Sequence, residues 1–584
     1  MTEIQPDVLL LIRKHALLNA YKHDGKCETS AVLGKVLGER PDLKNLVKEL
    51  YPFLKQIVDE VNRLSLDEQL SILKTNFPDA IVEVPKAKAE EKKLPPLPDA
   101  DKYAKIVTRF SPNPDCALHL GSARAIILSH DYARQYNGKF ILRFEDTDPR
   151  LKKASLIFYD LIREDLNWLE CRWDEEFIQS NRLSIYYGIV EDLIKANGAY
   201  VCTCEPTTFR SYIASSKACP CRNLTLEEQM DRWKNMLDGN YKEGQAIVRV
   251  KTDLNHPNPA VRDWPALRIV DTIKHPHPRV GSKYHIWPLY NFAAGVDDHL
   301  MGITHIIRGK EHLTNAIRQM YMYKHLNWEY PVAIHYGRLK IEGAVLSKSK
   351  IIQGIRDGLY EGFDDPRLAT FLALRRRGFQ PDAIRKLIYD VGIKPVDATL
   401  SWQNLYSYNR QIVDKVASRY FAILDKIELQ IHGIKGNLKA VLPKHPDDKA
   451  RGNRELEVHQ KNGIAKVFVS KSDKELLLSK PIIRLMGLMN IGDVKSEGDH
   501  LKASFKGLSI HEAREAEAPL IHWLPTQDTV KIILVMFTGK KIEGLAEKNL
   551  ADEPMNSLVQ LERLGFGRID SKSDDKIVIY FTSR

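Results

Sequence analysis

Apolar positions near the N-terminus recur at helical spacing. Leu43, Leu46, Val47, Leu50, Leu54, Ile57, Val61 and Leu64 form one stripe, the face an amphipathic helix turns to a core. The pattern predicts an N-terminal helical domain over residues 1–84, packed on itself or a neighbour, with a protein-partner-binding appendage as the sharper alternative. The charged, proline-rich run that follows predicts an extended linker over 85–100. The period then changes. Lys105-Ile106-Val107-Thr108-Arg109-Phe110 predicts a strand, residues 122–137 a helix stopped by a left-handed Gly138, and residues 139–144 a second strand. This is a βαβ unit, so the strands should be parallel and ligands should sit at their C-terminal ends. Helical periodicity returns over 356–428. From 429 to 584, short β-rich runs between turns predict one or two barrels or sandwiches.

The chain has 584 residues, 43% of them apolar, enough for several cores. The apolar run at 8–12 is too short to span a bilayer, and Glu3 and Asp7 stand where a secretory signal would be basic. A soluble cytoplasmic protein is expected. Lys and Arg exceed Asp and Glu by 11, which favours a polyanionic partner without requiring one.

Two loops carry candidate chemistry. In the loop from Arg109 to Ser122, a strand leads to a helix N-terminus, whose N–H groups and dipole suit phosphate. Gly121 permits close backbone approach, and His119 can donate to phosphate oxygens as charge builds. In the second, Ser347-Lys348-Ser349, a lysine between two serines can reach the terminal phosphates of a nucleotide. Either loop alone is weak. Cys202, Cys204, Cys219 and Cys221 form two Cys-x-Cys pairs, a set able to supply four thiolates to a closed, structural zinc site. Unligated buried thiols are the plainer alternative.

Together and in this order, His119-Leu120-Gly121-Ser122 and Val345-Leu346-Ser347-Lys348-Ser349 resemble the His-Ile-Gly-His and Lys-Met-Ser-Lys-Ser loops of class I aminoacyl-tRNA synthetases. Both depart from the usual pattern: Ser122 replaces the second histidine, and Val345-Leu346 replaces Lys-Met. Arg109-Phe110-Ser111-Pro112-Asn113-Pro114-Asp115, Glu145-Asp146-Thr147-Asp148, Tyr290-Asn291-Phe292-Ala293 and the run from Asp297 to Glu311 resemble the glutamyl/glutaminyl branch. Over about residues 100–584 the chain resembles the archaeal-type glutamyl-tRNA synthetases.

The resemblance implies a multidomain α/β fold. Its parts are a Rossmann catalytic domain (101–355) with a zinc-bearing, acceptor-binding insert (about 196–288), a helical connector touching the tRNA stem (356–428), and anticodon-binding β-barrels (429–584). It implies ATP-dependent ligation of L-glutamate to tRNA(Glu) through glutamyl-adenylate, with tRNA(Gln) as a second acceptor in some members. It places Arg109 and Arg308 around the substrate carboxylates, Glu145 at its ammonium, and Tyr290 and Asn113 in the same pocket. His119, Gly121, Ser122, Ser347, Lys348 and Ser349 would hold ATP, which arrives with Mg²⁺, and His119 and Lys348 would be catalytic. Arg308 favours glutamate over glutamine, since a guanidinium fork matches a carboxylate; its plainer reading is an ion pair with Glu311. The rivals are a glutaminyl enzyme, a non-catalytic tRNA-binding paralogue and a truncated tRNA-modifying relative, the last disfavoured by the β-rich C-terminal region. Arg375-Arg376-Arg377 should leave at least one arginine solvated, with the others free for RNA backbone. Lys217 and Arg222 read as solvated loop charges.

Overall fold

The computed structural model describes residues 5–22, 25–77, 94–343, 345 and 347–584. The chain divides into two compact units, Met1–Lys93 and Leu94–Arg584. Among the described residues no helix is long and apolar enough to cross a membrane. Most of the expected linker, 85–93, and Leu346 lie outside the described residues.

In the first unit, helices Pro6–Lys22, Thr29–Glu39, Val47–Arg63 and Leu66–Asn76 close on Val8, Ile12, Leu50, Leu54, Val58 and Val61. The expected stripe is rotated: Val58 enters the core, whereas Leu46 is exposed because it sits in the short 3-10 turn Pro41–Leu46 before the helix begins.

In the second unit, Val107–Phe110, Lys139–Phe144 and Glu175–Ile178 form a parallel sheet. His305–Gly309 and Val332–Tyr336 form another. Thr304 joins the two: its N–H donates to the Val107 carbonyl (3.0 Å), and its hydroxyl accepts from the Val107 N–H (2.9 Å). The first strand of the chain is therefore central, with later strands on both sides. That order creates a topological switch point, and a ligand crevice is expected beyond its C-terminal edge.

The helix after the first strand is shorter than its sequence suggests. A 3-10 turn, Leu120–Ser122, precedes the α-helix Ala123–Gln135. The left-handed residue at its end is Asn137 (φ 50°) rather than Gly138. Glycine is needed at 138 for a different reason: a Cβ there would lie 2.1 Å from the Ile106 carbonyl oxygen.

Between the third and fourth parallel strands, Ala199–Cys202, Ile247–Val250, Pro265–Ile269 and Ile286–Pro288 make an antiparallel sheet over a core containing Trp233, Trp264 and Trp287. After the helices Phe371–Arg376, Pro381–Val391 and Trp402–Val413, β structure begins at Ser418, earlier than 429. The apolar run Tyr420-Phe421-Ala422-Ile423 could pass for helix, but it closes a barrel. Ser418–Tyr420 and Ala422–Ile423 are the two terminal strands of a seven-stranded sheet, so their short connection links its ends. A second sheet closes in the same way, through Leu520–Ile521 and Leu524–Pro525.

The three consecutive arginines are structural and none is exposed. Arg376 pairs with Asp570 and Asp364 at 2.9 Å. Arg377 is buried and donates to the Phe581 and Thr582 carbonyls, and Arg375 lies 3.8 Å from Glu164. Helix docking against the barrel, invisible in linear spacing, claims Arg376 and Arg377, while Arg375 faces the helix Leu156–Trp168. Likewise Arg222 is no solvated loop charge; it pairs with buried Asp263 at 2.8 Å.

Gly138→Ala should destabilise the second unit by roughly 2–4 kcal/mol, because backbone must move to admit the methyl. Urea unfolding followed by tryptophan fluorescence would show an earlier transition; an unshifted one would contradict this close approach.

Candidate active site

Three arginines leave the strands beside the switch point. Arg109 is in register with Ile141, so Arg143, two residues on, emerges from the same sheet face. Helix Tyr290–Leu300 brings Asp298 between them. Asp298 accepts from Arg109 Nε (3.0 Å) and Arg143 Nη1 (2.8 Å). Burial opposes its ionisation, but the two guanidinium groups outweigh burial and hold the carboxyl below its usual range. Arg143 also donates to Glu145 at 2.9 Å. Burial pushes the Glu145 carboxyl up, with Arg143 and Arg109 pulling it back.

Arg308 is different. It is 5% exposed, yet among the described residues it makes no ion pair. Nη2 donates to Gln319 Oε1 (3.1 Å) and Tyr330 Oη (3.0 Å), and Nε faces His335 Nε2 at 3.4 Å. Nη1 makes no hydrogen bond. The ion pair with Glu311 is not formed. His335, in strand register with Arg308, is held neutral, its pKa lowered to about 4 by burial and then by Arg308. His312 is lowered to about 4 for the same reasons and lies 5.4 Å, ring to ring, from Tyr290. Burial, then nearby Glu145, raises the Tyr290 phenol.

Other polar atoms in these segments lack partners: Ser111 Oγ, Asn113 Oδ1 and Asn291 Oδ1 are buried without hydrogen bonds. Asn113 does donate, through Nδ2, to the Lys152 carbonyl at 3.3 Å. Buried polar groups are nearly always satisfied, so such a set marks a place built for a ligand. Its charge is unbalanced as well: among the described residues, Arg109 and Arg143 pair with Asp298 and Glu145, nearby Asp297 is held by Arg182, and Arg308 makes no ion pair.

The two candidate phosphate loops meet. Lys348 Nζ contacts Asp115 Oδ1 at 2.5 Å, placing the ammonium on the loop that carries His119. Lys348 opens the helix Lys348–Arg356, with Ser347 as its N-cap residue, so it sits at a helix N-terminus rather than within a loop. Ser347 and Ser349 hydroxyls are 3.1 Å apart and exposed. His119 is pinned from both sides: the Leu120 N–H donates to the Ala369 carbonyl and the Phe371 N–H to the Leu118 carbonyl. Its Nδ1 accepts from the Gly121 N–H at 3.1 Å. The proton of the neutral ring therefore sits on Nε2, available to a phosphate oxygen. Gly121 thus sets the histidine tautomer, while the Ser122 N–H is spent on the His119 carbonyl.

The cysteine set converges too. Cys202 and Cys219 sulfurs are 3.9 Å apart, Cys204 and Cys221 3.7 Å, and all four lie within 4.8 Å of one another. Tetrahedral thiolates at ~2.3 Å from a central ion would be about 3.8 Å apart, so the four residues fit a metal. A second cluster, His130, Asp131 and Cys171, already holds the Arg385 guanidinium against Asp131 and needs no ion.

Sequence reasoning placed Arg109, Asn113, Glu145, Tyr290, Arg308, His119 and Lys348 but passed over Asp298, Arg143, Asp115, Gln319, Tyr330 and His335. One signal was available. An arginine inside a strand buried on both faces, as in Ile141-Leu142-Arg143-Phe144, demands a buried acid, and Asp297-Asp298 offered one.

A parallel sheet with a switch-point crevice, a loop where His119 and Lys348 converge, and a cluster of three buried arginines is an arrangement that suits a nucleotide-dependent enzyme. Residues 105–415 match the catalytic domain of tRNA synthetases class I (E and Q), and residues 417–507 match the anti-codon binding domain of the same family. Relatives named glutamate–tRNA ligase extend over nearly the whole chain. That of Pyrococcus furiosus is 50% identical over 582 residues, covering 99% of this chain and 100% of its own. Those of Thermococcus kodakarensis and Thermococcus onnurineus are also 50% identical, each covering 98% of this chain and 99% of their own. The chain belongs to the class I tRNA synthetases of the glutamate and glutamine branch, among the archaeal glutamyl-tRNA synthetases.

Burial, then Lys348, lowers the His119 pKa to about 4, so the imidazole is neutral above about pH 5. The kcat/KM for ATP, which reports the free enzyme, should therefore show no inflection from His119 between pH 6 and 7. An inflection there that His119→Ala abolishes would overturn the assignment. His119→Ala and Lys348→Ala should each slow adenylate formation by 10- to 1000-fold, roughly 1.4–4 kcal/mol, in pyrophosphate exchange with tRNA present.

Proposed function

We propose that this protein joins L-glutamate to the 3′ end of tRNA(Glu) at the expense of ATP, passing through glutamyl-adenylate. The observation that carries the reading is Arg308: a buried guanidinium with no hydrogen bond at Nη1 and, among the described residues, no ion pair. An isolated buried charge is costly, and a substrate carboxylate would relieve it. A neutral amide would leave the charge uncompensated, which favours glutamate over glutamine. Glu145 supplies an acceptor for the substrate ammonium, while Tyr290, Asn113 and Arg109 surround the same molecule.

ATP enters as its magnesium complex. The substrate α-carboxylate attacks the α-phosphorus in line, a new carboxyl–phosphate bond forms, and pyrophosphate leaves. His119 donates from Nε2 to a phosphate oxygen. Lys348, released from Asp115, neutralises charge on the departing group. Ser347 and Ser349 hydroxyls flank that ammonium, and Gly121 and Ser122 shape the loop beneath the nucleotide. The terminal adenosine hydroxyl of tRNA then attacks the mixed anhydride, and AMP leaves.

The domain plan we favour keeps the catalytic part over 101–355 with its acceptor-end insert near 196–288, a connector to about residue 416, and barrels beyond it reading the anticodon. Zinc at Cys202, Cys204, Cys219 and Cys221 would tie the turn between Ala199–Cys202 and the segment that follows. With four thiolates and no open position its role is structural. A cytoplasmic site of action suits this chemistry.

Arg308→Ala should raise the glutamate KM by about 30-fold or more, roughly 2 kcal/mol of lost binding, with the KM for ATP little changed. An unchanged glutamate KM would remove the carboxylate clamp. Charging assays with purified tRNA(Glu) and tRNA(Gln) separate a single-acceptor enzyme from one that also loads tRNA(Gln). Elemental analysis should find one zinc per chain, lost on Cys219→Ser; stripping it should lower the thermal stability of the insert, and a metal-free wild type of full stability would contradict a structural ion.

A further inference from the structure

The acceptors around Arg308 are all neutral, and one of them is placed to decide the pocket's charge. Gln319 is fully buried on helix Leu313–His325. Its Oε1 accepts from Arg308 Nη2 (3.1 Å) and from the Tyr330 hydroxyl (2.8 Å). The Tyr330 oxygen in turn accepts from the same Nη2 at 3.0 Å. Three groups thus close a ring of hydrogen bonds around Nη2. The Gln319 amide cannot be reversed, because arginine only donates. Its Nε2 is anchored on the Asn291 carbonyl at 3.2 Å, next to Tyr290.

We infer that Gln319 is the residue that positions Arg308 and sets its preference for an acidic substrate. It acts through Arg308 and need not touch the substrate. Two physical consequences follow from the ring. The guanidinium plane is held by its Nη2 and Nε edges, so Nη1 faces the ligand at fixed orientation and little entropy remains to be lost on binding. And because a carboxamide holds the cation without neutralising it, the whole charge of Arg308 remains for the substrate side chain. A carboxylate of the same shape at 319 would keep the geometry and cancel the charge. Only the second effect discriminates glutamate from glutamine. The inference rests on the proposed glutamate reading of the pocket and deepens it.

The test uses the full-length enzyme in tRNA-dependent pyrophosphate exchange, with L-glutamate and L-glutamine as alternative substrates. Gln319→Glu should raise the glutamate KM at least tenfold and shift the ratio of kcat/KM for glutamate over glutamine towards glutamine by tenfold or more, with KM for ATP and tRNA unchanged. Tyr330→Phe removes one member of the ring and no charge, so it should weaken glutamate binding only a few-fold and leave the ratio nearly intact. Gln319→Met, of similar volume, should raise the glutamate KM without the swing towards glutamine, and it keeps the question open to test if the glutamate variant misfolds. A purely structural Gln319 would lower activity with both amino acids alike; that outcome, or an unchanged KM in Gln319→Glu, overturns the inference. Arg308→Ala in the same assay separates the two levels. If it too leaves the glutamate KM unchanged, the substrate reading itself fails; if it raises the KM while Gln319→Glu does not, only the role of Gln319 fails.

Discussion

The site depends on one shared counterion. Two guanidinium groups from neighbouring strands, Arg109 and Arg143, are almost without solvent, and each would be prohibitively costly there alone. Asp298 binds both and arrives from a helix outside the sheet, so the ion pair also fixes where that helix runs. Tyr290 and Asn291 lie about two turns before Asp298 on the same helix, and an interval of seven or eight residues returns them to the same face. One buried triad thus sets the position of the helix and, through it, where Tyr290 and Asn291 stand in the proposed amino-acid pocket. With Glu145 beside Arg143, the charge of this group is nearly balanced, which leaves Arg308 as the cation without an ion pair among the described residues.

The nucleotide side is organised by different means. There the backbone does the positioning. The loop carrying His119 is clamped by bonds to residues 369 and 371, beyond the helix that begins with Lys348. His119 and Lys348 therefore belong to segments that restrain each other, even though more than two hundred residues separate them. Asp115 occupies Lys348 in the way a phosphate would, which keeps the ammonium near its working position at low electrostatic cost.

The basic excess of the chain is distributed less simply than composition suggests. Arg124, Arg376, Arg377 and Arg385 are committed to carbonyls and carboxylates at packing interfaces, so they hold helices together instead of forming an RNA-facing patch. A planar group with five donors suits this task, since one side chain can satisfy several chain ends at once. Charge counting along a sequence cannot separate these arginines from those free to meet a polyanion.

Local chemistry made much legible from residue order. Gly and Pro punctuation and the change of hydrophobic period marked the βαβ unit, the paired cysteines marked a four-sulfur cluster, and two short loops marked segments that the fold brings together. These follow from short-range rules, because turn geometry, periodicity and thiolate spacing are written within a few residues. Tertiary structure alone decided the rest. Gly138 serves close approach instead of a left-handed turn, the Gly121 N–H sets a histidine tautomer, and Arg376 and Arg377 brace a barrel. Asp298 neutralises two strands, and Gln319 orients a third arginine without quenching it. Each of these depends on which distant groups become neighbours in a low-dielectric interior, where hydrogen-bond satisfaction and charge balance are settled among residues that linear spacing does not relate.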